Sequence, residues 1–267
     1  MKTLLISKYL KQCEIRPVKR LGQNFLIDNS VLKKIIDAAD LSFDNTVLEI
    51  GSGLGILTFE LAKRVKKVIA VEKDRKLARI LNNELRIKGI KNVEVIQDDV
   101  LKISDSKFPI LDSYKIVANL PYYITSPIIR KFLESPPAGG KLSLMVLMVQ
   151  KEVAQRICAK PPQMNLLAVA VQFYGQPKII AYVSKNSFYP QPKVDSAIIK
   201  IIPKPIPEID TEKFFNLVKK GFSAKRKMLK NNLPGIDFEK LGLNPKIRAE
   251  NLSISDWVKL IHTFDFS

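Results

Sequence analysis

The alternation of short apolar runs with helical segments along the first 150 residues constrains the fold most strongly. Val47–Ile50, Val68–Val71 and Val93–Ile96 are short runs typical of buried strands, and the intervals between them carry helical periodicity. Lys115–Ala118 and Leu142–Val149 continue the series. Strands that alternate with helices form β–α–β crossover units. The pattern therefore predicts an α/β fold in which a parallel sheet is covered by helices on both faces.

The pattern changes after Lys151. Two further strands are predicted over Ile179–Val183 and Val194–Ile202. The proline-rich stretch Pro203–Pro207 that follows cannot continue a helix or a strand, and only helical signals lie beyond it. We therefore expect three parts: a basic N-terminal arm over residues 1–20, an α/β domain over residues 21–204, and a small all-helical domain over residues 205–267.

The chain carries a large excess of positive charge. Lys and Arg number 44 against 26 Asp and Glu, which gives a formal net charge of +18. This excess favours a polyanionic partner, either nucleic acid or an anionic membrane surface. No stretch approaches the ~18 uninterrupted apolar residues that a membrane-spanning helix needs. Nucleic acid is therefore the favoured partner, and we expect no membrane association.

Cysteine and histidine are scarce. Lys8 and Lys11 interrupt the apolar opening segment before it reaches the length of a signal peptide. In the absence of an export signal, Cys13 and Cys158 are expected to be free thiols in a reducing cytoplasm. They are too few for a zinc site, and His262 is the single histidine. These counts exclude histidine-based metal sites and Ser-His-Asp triads, so we expect no metal centre.

A glycine cluster follows the first predicted strand. The segment Glu49–Gly55 reads Glu-Ile-Gly-Ser-Gly-Leu-Gly, and Gly51 and Gly53 let the backbone turn sharply and approach a ligand closely. Glu72 closes the next strand, 21 positions after Gly51, where a carboxylate can accept both ribose hydroxyls of an adenosine. The G-x-G-x-G spacing resembles that of S-adenosylmethionine-dependent methyltransferases, whereas nicotinamide dinucleotide enzymes usually have G-x-G-x-x-G. A plain glycine turn with a capping glutamate is the structural alternative, which the position of Glu72 disfavours.

Two further segments follow predicted strand ends. Asp99 comes after the third strand and can accept the exocyclic amine of adenine. Asn119–Tyr122, which reads Asn-Leu-Pro-Tyr, comes after the fourth. An amine conjugated to an aromatic base is a poor nucleophile because its lone pair is delocalised. Acceptors at the Asn119 side chain and at the carbonyl before Pro121 would favour the pyramidal geometry that frees the lone pair, and Tyr122 offers a flat face to a flipped base. An ordinary Asn-x-Pro turn is the alternative.

A series of motifs occurs in a fixed order along nearly the whole chain. They are Lys19–Leu26, the glycine motif, Asn119–Tyr122, Pro190–Ser196, Lys225–Leu233 and Arg248–Asn251. Together they resemble the KsgA-type small-subunit ribosomal RNA adenine N6,N6-dimethyltransferases. The resemblance implies a Rossmann-like catalytic domain over residues 21–204 and a helical RNA-binding domain over residues 205–267. It also implies transfer of methyl groups from S-adenosylmethionine to N6 of two adjacent adenines near the 3′ end of small-subunit ribosomal RNA.

The resemblance implies roles for individual residues as well. With Gly53 from the glycine turn, the cofactor-binding set is Asn24, Leu26, Gly51, Gly53, Glu72, Asp99 and Asn119. The catalytic set is Asn119, Leu120, Pro121, Tyr122 and Phe188. In this set, Phe188 sandwiches the target base against Tyr122. The implied partner is small-subunit ribosomal RNA within a pre-ribosomal particle, with a role in subunit maturation, and we expect a monomer that acts in the cytoplasm.

Basic residues are concentrated in residues 185–230, which hold 11 Lys or Arg and 4 acids. Solvated helix faces are the ordinary explanation of such a run. A local imbalance beside an aromatic pocket instead favours phosphate contacts that position RNA. The predicted RNA-binding residues are Lys19, Arg20, Lys225, Arg226, Lys227 and Lys230. The last four are expected to lie within two turns of one helix.

Two rival functions stay open at this point. A large-subunit ribosomal RNA adenine methyltransferase of the macrolide-resistance type shares much of the catalytic motif set, but Lys225–Leu233 and Arg248–Asn251 argue against it. A non-catalytic ribosome-assembly or transcription factor on the same fold is the second rival. The intact motif Asn119–Tyr122, together with Gly51, Glu72 and Asp99, argues against that interpretation.

Overall fold

The computed structural model of the protein describes residues 8, 10, 12–13, 15–103, 112–134, 140–224 and 226–263. The strands with described bounds are β1 (Phe25–Leu26), β2 (Thr46–Ile50), β3 (Lys67–Glu72), β4 (Val93–Gln97), β5 (Ser113–Asn119), β6 (Lys141–Gln150), β7 (Gly175–Val183), β8 (Phe188–Tyr189) and β9 (Ser196–Pro203). The α-helices are α1 (Asn29–Ala38), α2 (Ile56–Ala62), α3 (Arg75–Ile87), α4 (Thr125–Glu134), α5 (Lys151–Ile157), α6 (Leu166–Tyr174), α7 (Thr211–Gly221), α8 (Leu229–Asn232) and α9 (Ile254–Ile261). Single 3-10 turns cover Lys19–Leu21, Tyr122–Ile124, Lys185–Ser187 and Ala249–Asn251.

Within the described residues, one sheet has seven strands in the order β4-β3-β2-β5-β6-β9-β7. The pairs β3–β4, β2–β3, β2–β5 and β5–β6 are parallel, so that Val47 lies opposite Val68 on one side and Lys115 on the other. The parallel arrangement predicted from the alternation of strands and helices is confirmed for these five strands. β9 pairs with β6 in the antiparallel sense, so the complete sheet is mixed.

The central strands are buried on both faces, which explains why they are almost continuously apolar. Val47 and Val117 join a core cluster with Ile35 of α1 and Leu61 of α2. Their neighbours along the strands point to the opposite face and are also fully buried, as in the case of Ile116. Helices therefore cover both faces of the sheet, as predicted.

The bounds and the buried face of helix α3 follow from its sequence. The Asp74 side chain accepts hydrogen bonds from the amides of Lys76 and Leu77, which caps the first turn. Leu77 and Leu81 lie on the buried face of the helix. The helical periodicity noted between the second and third predicted strands is confirmed by this helix.

A two-stranded ribbon lies beside the main sheet. β1 pairs with β8 in the antiparallel sense, with Phe25 opposite Tyr189 and Leu26 opposite Phe188. Each strand is two residues long, and the pair joins segments that are far apart in the sequence. The periodicity of the sequence did not predict it, since two residues are too few to show a period.

The chain divides into two compact units. The first comprises the chain up to Ala154 together with Lys178–Pro203, and the second comprises Gln155–Pro177 together with the chain from Lys204 onward. The second unit therefore draws on residues 155–177, which the sequence analysis assigns to the α/β domain. The physical reason is aromatic packing, because Phe173 of α6 lies with its ring centroid 4.4 Å from that of Phe214 on α7.

The second unit has a small core of its own around Trp257, which is fully buried. A Cβ atom at Gly221 would lie 2.3 Å from Cη2 of Trp257, so only glycine permits this close packing of α7. Ser253 and Asp256 form a reciprocal capping box at the start of α9. In the described part of the chain, every helix is too short or too polar to span a bilayer.

Candidate active site at the carboxyl edge of the sheet

Four parallel strands end at the same edge of the sheet. Gly51 follows β2, Glu72 closes β3, Asp99 follows β4, and Asn119 closes β5. The chain order reverses between β2 and β5, and the carboxyl edge at such a reversal is where ligands bind in open α/β sheets. A cavity opens there, and its wall includes every predicted cofactor residue and four of the five predicted catalytic residues, with Asn119 in both sets. These residues are Asn24, Leu26, Gly51, Gly53, Glu72, Asp99, Asn119, Leu120, Pro121 and Tyr122.

The glycine turn is fastened to the next strand by Glu72. Gly53 has a φ of 57°, in the left-handed region that favours glycine, and its amide donates a 2.8 Å hydrogen bond to Glu72 Oε2. A Cβ atom at Gly53 would lie 3.5 Å from the ring of Phe25, which also lines the cavity. The turn is thus held in a fixed shape on the cavity wall, with no side chain at Gly51 and Gly53.

Glu72 is buried and has acceptor capacity to spare. Its Oε1 accepts a 2.8 Å hydrogen bond from the amide of Asp74, while Oε2 accepts from Gly53. Burial raises the pKa of Glu72, and the hydrogen bonds from the amides of Asp74 and Gly53 oppose that rise. Each carboxylate oxygen has two acceptor positions, so the hydrogen bonds from Gly53 and Asp74 do not use the full acceptor capacity of the group. The ribose contact of Glu72 stays a prediction.

Asp99 is held in the ionised state by its neighbours. Burial by itself would raise its pKa, but the ammonium of Lys73, 2.9 Å from Oδ2, and the amide of Leu101 lower the pKa below its ordinary value. A fixed carboxylate at this position can accept from an exocyclic amine. The contact of Asp99 with the adenine amine stays a prediction.

Two buried polar groups on the cavity wall lack hydrogen-bond partners among the described residues. They are Glu49 Oε2 and Ser52 Oγ, and both residues are at least 95% buried. Burial raises the pKa of Glu49 to about 8, and the neighbouring charge of Glu72 adds to the rise. Unsatisfied buried groups of this kind fit a polar ligand that would complete their hydrogen bonds. The predicted set omits Glu49, although an acid inside the apolar run Val47–Ile50 is a visible signal.

The segment after β5 is fixed by contacts at both ends. Asn119 Nδ2 donates to the carbonyl oxygen of Asn24 at 3.3 Å, which anchors the side chain and leaves its oxygen as an acceptor. The Tyr122 hydroxyl lies 2.8 Å from Ser196 Oγ, and burial raises the pKa of this tyrosine. Since the described contacts hold the ring by its hydroxyl, Tyr122 is a rigid flat surface on the cavity wall.

Phe188 is placed differently from the other predicted catalytic residues. It is 3% exposed, packs in the main core cluster with Leu26 and Val183, and is not among the residues that line the cavity. The sandwich of a base between Phe188 and Tyr122 stays a prediction. Tyr123, which is outside the predicted set, also lines the cavity and is 52% exposed.

The predicted RNA-binding residues do not form one helical face. Arg226, Lys227 and Lys230 are exposed, but α8 begins only at Leu229, because Met228 has an extended backbone with φ −61° and ψ 145°. The expectation that these residues share one helix is therefore wrong. Lys225 lies outside the described residues. In the N-terminal arm, Lys19 and Arg20 begin the 3-10 turn Lys19–Leu21, and the side chain of Arg20 is exposed.

The fold and the position of the cavity together define the class of protein. This is the Rossmann-like fold of S-adenosylmethionine-dependent methyltransferases. The crystal structure of a dimethyladenosine transferase from Plasmodium falciparum is 30% identical, with a TM-score of 0.76 over 88% of this chain and 95% of that chain. The crystal structure of the 23S rRNA methyltransferase ErmE is 28% identical, with a TM-score of 0.75 over 91% of this chain and all of that one.

The family follows from the sequence match. Residues 16–265 match the family described as ribosomal RNA adenine dimethylase. A curated relative from Dehalococcoides mccartyi, named ribosomal RNA small subunit methyltransferase A, is 47% identical over 91% of this chain and 86% of its own length. A relative of the same name from Clostridium botulinum is 43% identical over 96% and 95%. The chain belongs to the ribosomal RNA adenine dimethylase family.

Proposed function

We propose that this protein transfers methyl groups from S-adenosylmethionine to N6 of two adjacent adenines near the 3′ end of small-subunit ribosomal RNA, and that it dimethylates each of them. The observation that carries the proposal is the position of Asn119–Tyr122 on the wall of the same cavity as Glu72 and Gly53. An amine-orienting segment and an adenosine-binding carboxylate thus share one space. Family membership supports the same conclusion.

The residues of the cavity fit the proposed cofactor. When bound, S-adenosylmethionine supplies an electrophilic methyl group. Glu72 would accept the ribose hydroxyls, Asp99 would accept the adenine amine, and the turn at Gly53 gives the cofactor close access to the backbone. Asn24, Leu26 and Gly51 complete the proposed binding set.

The chemistry at the target amine depends on orientation rather than on a strong base. In the proposed complex, Asn119 Oδ1 and the carbonyl before Pro121 accept the two amine hydrogens, which favours the pyramidal nitrogen. Tyr122 stacks on the flipped base. A methylated amine loses its proton readily to water, so the mechanism needs no histidine or other general base in the cavity.

The proposed partner is small-subunit ribosomal RNA within a pre-ribosomal particle, to which the protein binds as a monomer in the cytoplasm. The formal net charge of +18 supports a polyanionic partner. Arg20, Arg226, Lys227 and Lys230 are exposed and available for phosphate contacts. We propose that the helical domain over residues 205–267 contributes RNA contacts and that the enzyme acts during subunit maturation.

The test is methyl transfer from labelled S-adenosylmethionine to purified RNA of each subunit and to small-subunit particles. The proposal predicts incorporation into small-subunit RNA, with N6,N6-dimethyladenosine as the end product after digestion. Incorporation into large-subunit RNA alone would instead support the macrolide-resistance type of activity. Absence of transfer to any of these substrates would support the non-catalytic assembly factor.

A further inference from the structure

Gln23 links the start of α3 to the N-terminal segment, by which we mean the part of the chain that contains Leu10, Ile15 and Val18. Its Oε1 accepts a 2.8 Å hydrogen bond from the amide of Val18, and its Nε2 donates a 2.9 Å hydrogen bond to Asp74 Oδ2. Both ends of one side-chain amide are therefore used, one by the chain before the site and one by the cap of a helix that borders it. The predicted site residues do not include Gln23.

The partner of Gln23 is itself bonded to the proposed ribose acceptor. The amide of Asp74 donates to Glu72 Oε1 at 2.8 Å, while Asp74 Oδ1 caps α3 through the amide of Lys76 at 2.9 Å. Asp74 therefore connects Gln23 to Glu72, because its side chain accepts from Gln23 and its amide donates to the Glu72 carboxylate. A shift of Asp74 would therefore lengthen or break its hydrogen bond to Glu72 Oε1.

The same N-terminal segment backs the wall of the cavity. Leu10 and Ile15 are 2% and 8% exposed and belong to one apolar cluster with Phe25, Leu54 and Leu77. The last three side chains of this cluster line the cavity. Leu10 and Ile15 therefore form an outer layer behind that wall. Gln23 itself lines the cavity, and its hydrogen bonds connect Val18 to Asp74.

We propose that Gln23 is a positioning residue for the cofactor, which fixes the N-terminal segment against the cavity wall and holds Asp74, and through it Glu72, in the binding geometry. This inference rests on the proposed function. When a binding-competent arrangement is only partly populated, the apparent dissociation constant rises by the inverse of the competent fraction. Loss of the bridge should therefore weaken cofactor binding and leave the chemical step unchanged.

The first test replaces Gln23 by an apolar side chain of similar length. Gln23→Met should weaken the binding of S-adenosylmethionine and S-adenosylhomocysteine by about tenfold, as expected for loss of a partly buried hydrogen-bonded pair. The KM for S-adenosylmethionine should rise by a similar factor while kcat at saturating cofactor stays unchanged. In the protein without ligand, hydrogen exchange at the Val18 amide should become faster.

The matched control is Gln172→Met. Gln172 Nε2 donates to the carbonyl oxygens of Ile157 and Ala159 at 2.9 and 2.7 Å, and all three residues belong to the second compact unit. This variant loses the same number of side-chain hydrogen bonds and should lower the melting temperature. Cofactor affinity should equal that of the wild type, which separates positioning from a general loss of stability.

A swap of the two partners supplies the decisive comparison. Gln23→Glu sets a second carboxylate against Asp74. Asp74→Asn, with its oxygen capping α3, sets its NH2 group against the NH2 group of Gln23, so each single variant should bind cofactor more weakly. The double variant keeps an acceptor for the Val18 amide and restores a donor–acceptor pair between positions 23 and 74, with α3 still capped by Asn. Its affinity should recover to within about threefold of the wild type.

Wild-type affinity in Gln23→Met, or a double variant no better than the single ones, would overturn the role assigned to Gln23. A wild-type protein that binds neither S-adenosylmethionine nor S-adenosylhomocysteine would contradict the proposed function itself. The two failures are therefore distinguishable.

Discussion

At the scale of single residues, Glu72 is the group that we propose selects the cofactor. Glu72→Gln turns one acceptor oxygen into a donor that faces the amide of Gly53 or of Asp74. The substitution should weaken S-adenosylmethionine binding by about 1–3 kcal/mol, measured by calorimetry. The control is Glu60→Gln, which removes an ion pair with Lys63 outside the cavity and should not change the affinity for S-adenosylmethionine. Tight binding of NAD by the wild type would contradict this account of the cavity.

Glu49 should make stability depend on pH. Burial raises its pKa to about 8 from an ordinary value of 4.5, so the folded state favours the protonated form. The stabilisation that this protonated form provides is full below pH 4.5 and is lost as the pH rises through about 8. Glu49→Gln cannot ionise and should therefore gain stability relative to the wild type over this range, by an amount on the order of a few kcal/mol.

The measurement for Glu49 is thermal unfolding of both proteins without ligand between pH 5 and pH 9. The melting temperature of Glu49→Gln minus that of the wild type should increase steadily with pH. A difference that stays constant over this range would show that Glu49 ionises normally in the folded protein.

At the scale of elements, Gly55 controls how α2 packs against α3. It is the N-cap of α2 with a φ of 80°, and a Cβ atom there would lie 2.5 Å from Leu81 Cδ1. Gly55→Ala should therefore lose about 2–4 kcal/mol of unfolding free energy, from backbone strain and overpacking together. Gly89 has a φ of 66° with no atom within 4 Å of such a Cβ, so Gly89→Ala should lose only about 1–2 kcal/mol.

Denaturant unfolding of the two alanine variants provides the measurement. An equal loss at both positions would show that backbone strain alone matters and that the contact with Leu81 relaxes without cost. A larger loss at Gly55 would support the close packing of α2 and α3 beside the glycine turn.

The elements that sequence reasoning predicted are those with a local signal. β2, β3, β5 and β6 are apolar runs that are largely buried, and β4 is a partly exposed strand at the end of the sheet. Residues at the carboxyl ends of these parallel strands meet at one edge by geometry alone, which brings Glu72, Asp99 and Asn119 together. The ribbon β1–β8 has no such signal, and its register decides that Phe188 turns into the core. The extended backbone at Met228 is equally invisible, because no periodicity marks it.

At the scale of the whole molecule, basic residues should set the salt dependence of RNA binding. Each phosphate neutralised releases counterions, with a log–log slope of roughly −0.7 per contact for single-stranded RNA. Arg226→Ala combined with Lys230→Ala should weaken binding to small-subunit particles and flatten the slope by about one to two units. Affinity for S-adenosylmethionine should stay the same.

The matched control for this double variant removes two exposed lysines at the amino ends of the sheet strands, opposite the end that bears the cavity. Lys66 and Lys91 precede β3 and β4 at their amino ends, away from the cavity at the carboxyl ends. Lys66→Ala with Lys91→Ala changes the net charge equally and should leave the slope unchanged. Identical slopes for both double variants would mean that only total charge matters.

Mapping N6,N6-dimethyladenosine in ribosomal RNA tests the central claim most directly. Cells that lack this protein would be compared with cells supplied with the wild type or with Asn119→Ala, and the modified positions would be read by mass spectrometry of RNA fragments. The wild type should restore dimethylation of two adjacent adenines near the 3′ end of small-subunit RNA, while Asn119→Ala, folded and bound to RNA, should restore little or none. Full dimethylation with Asn119→Ala, or the same modification pattern with and without the protein, would contradict the account.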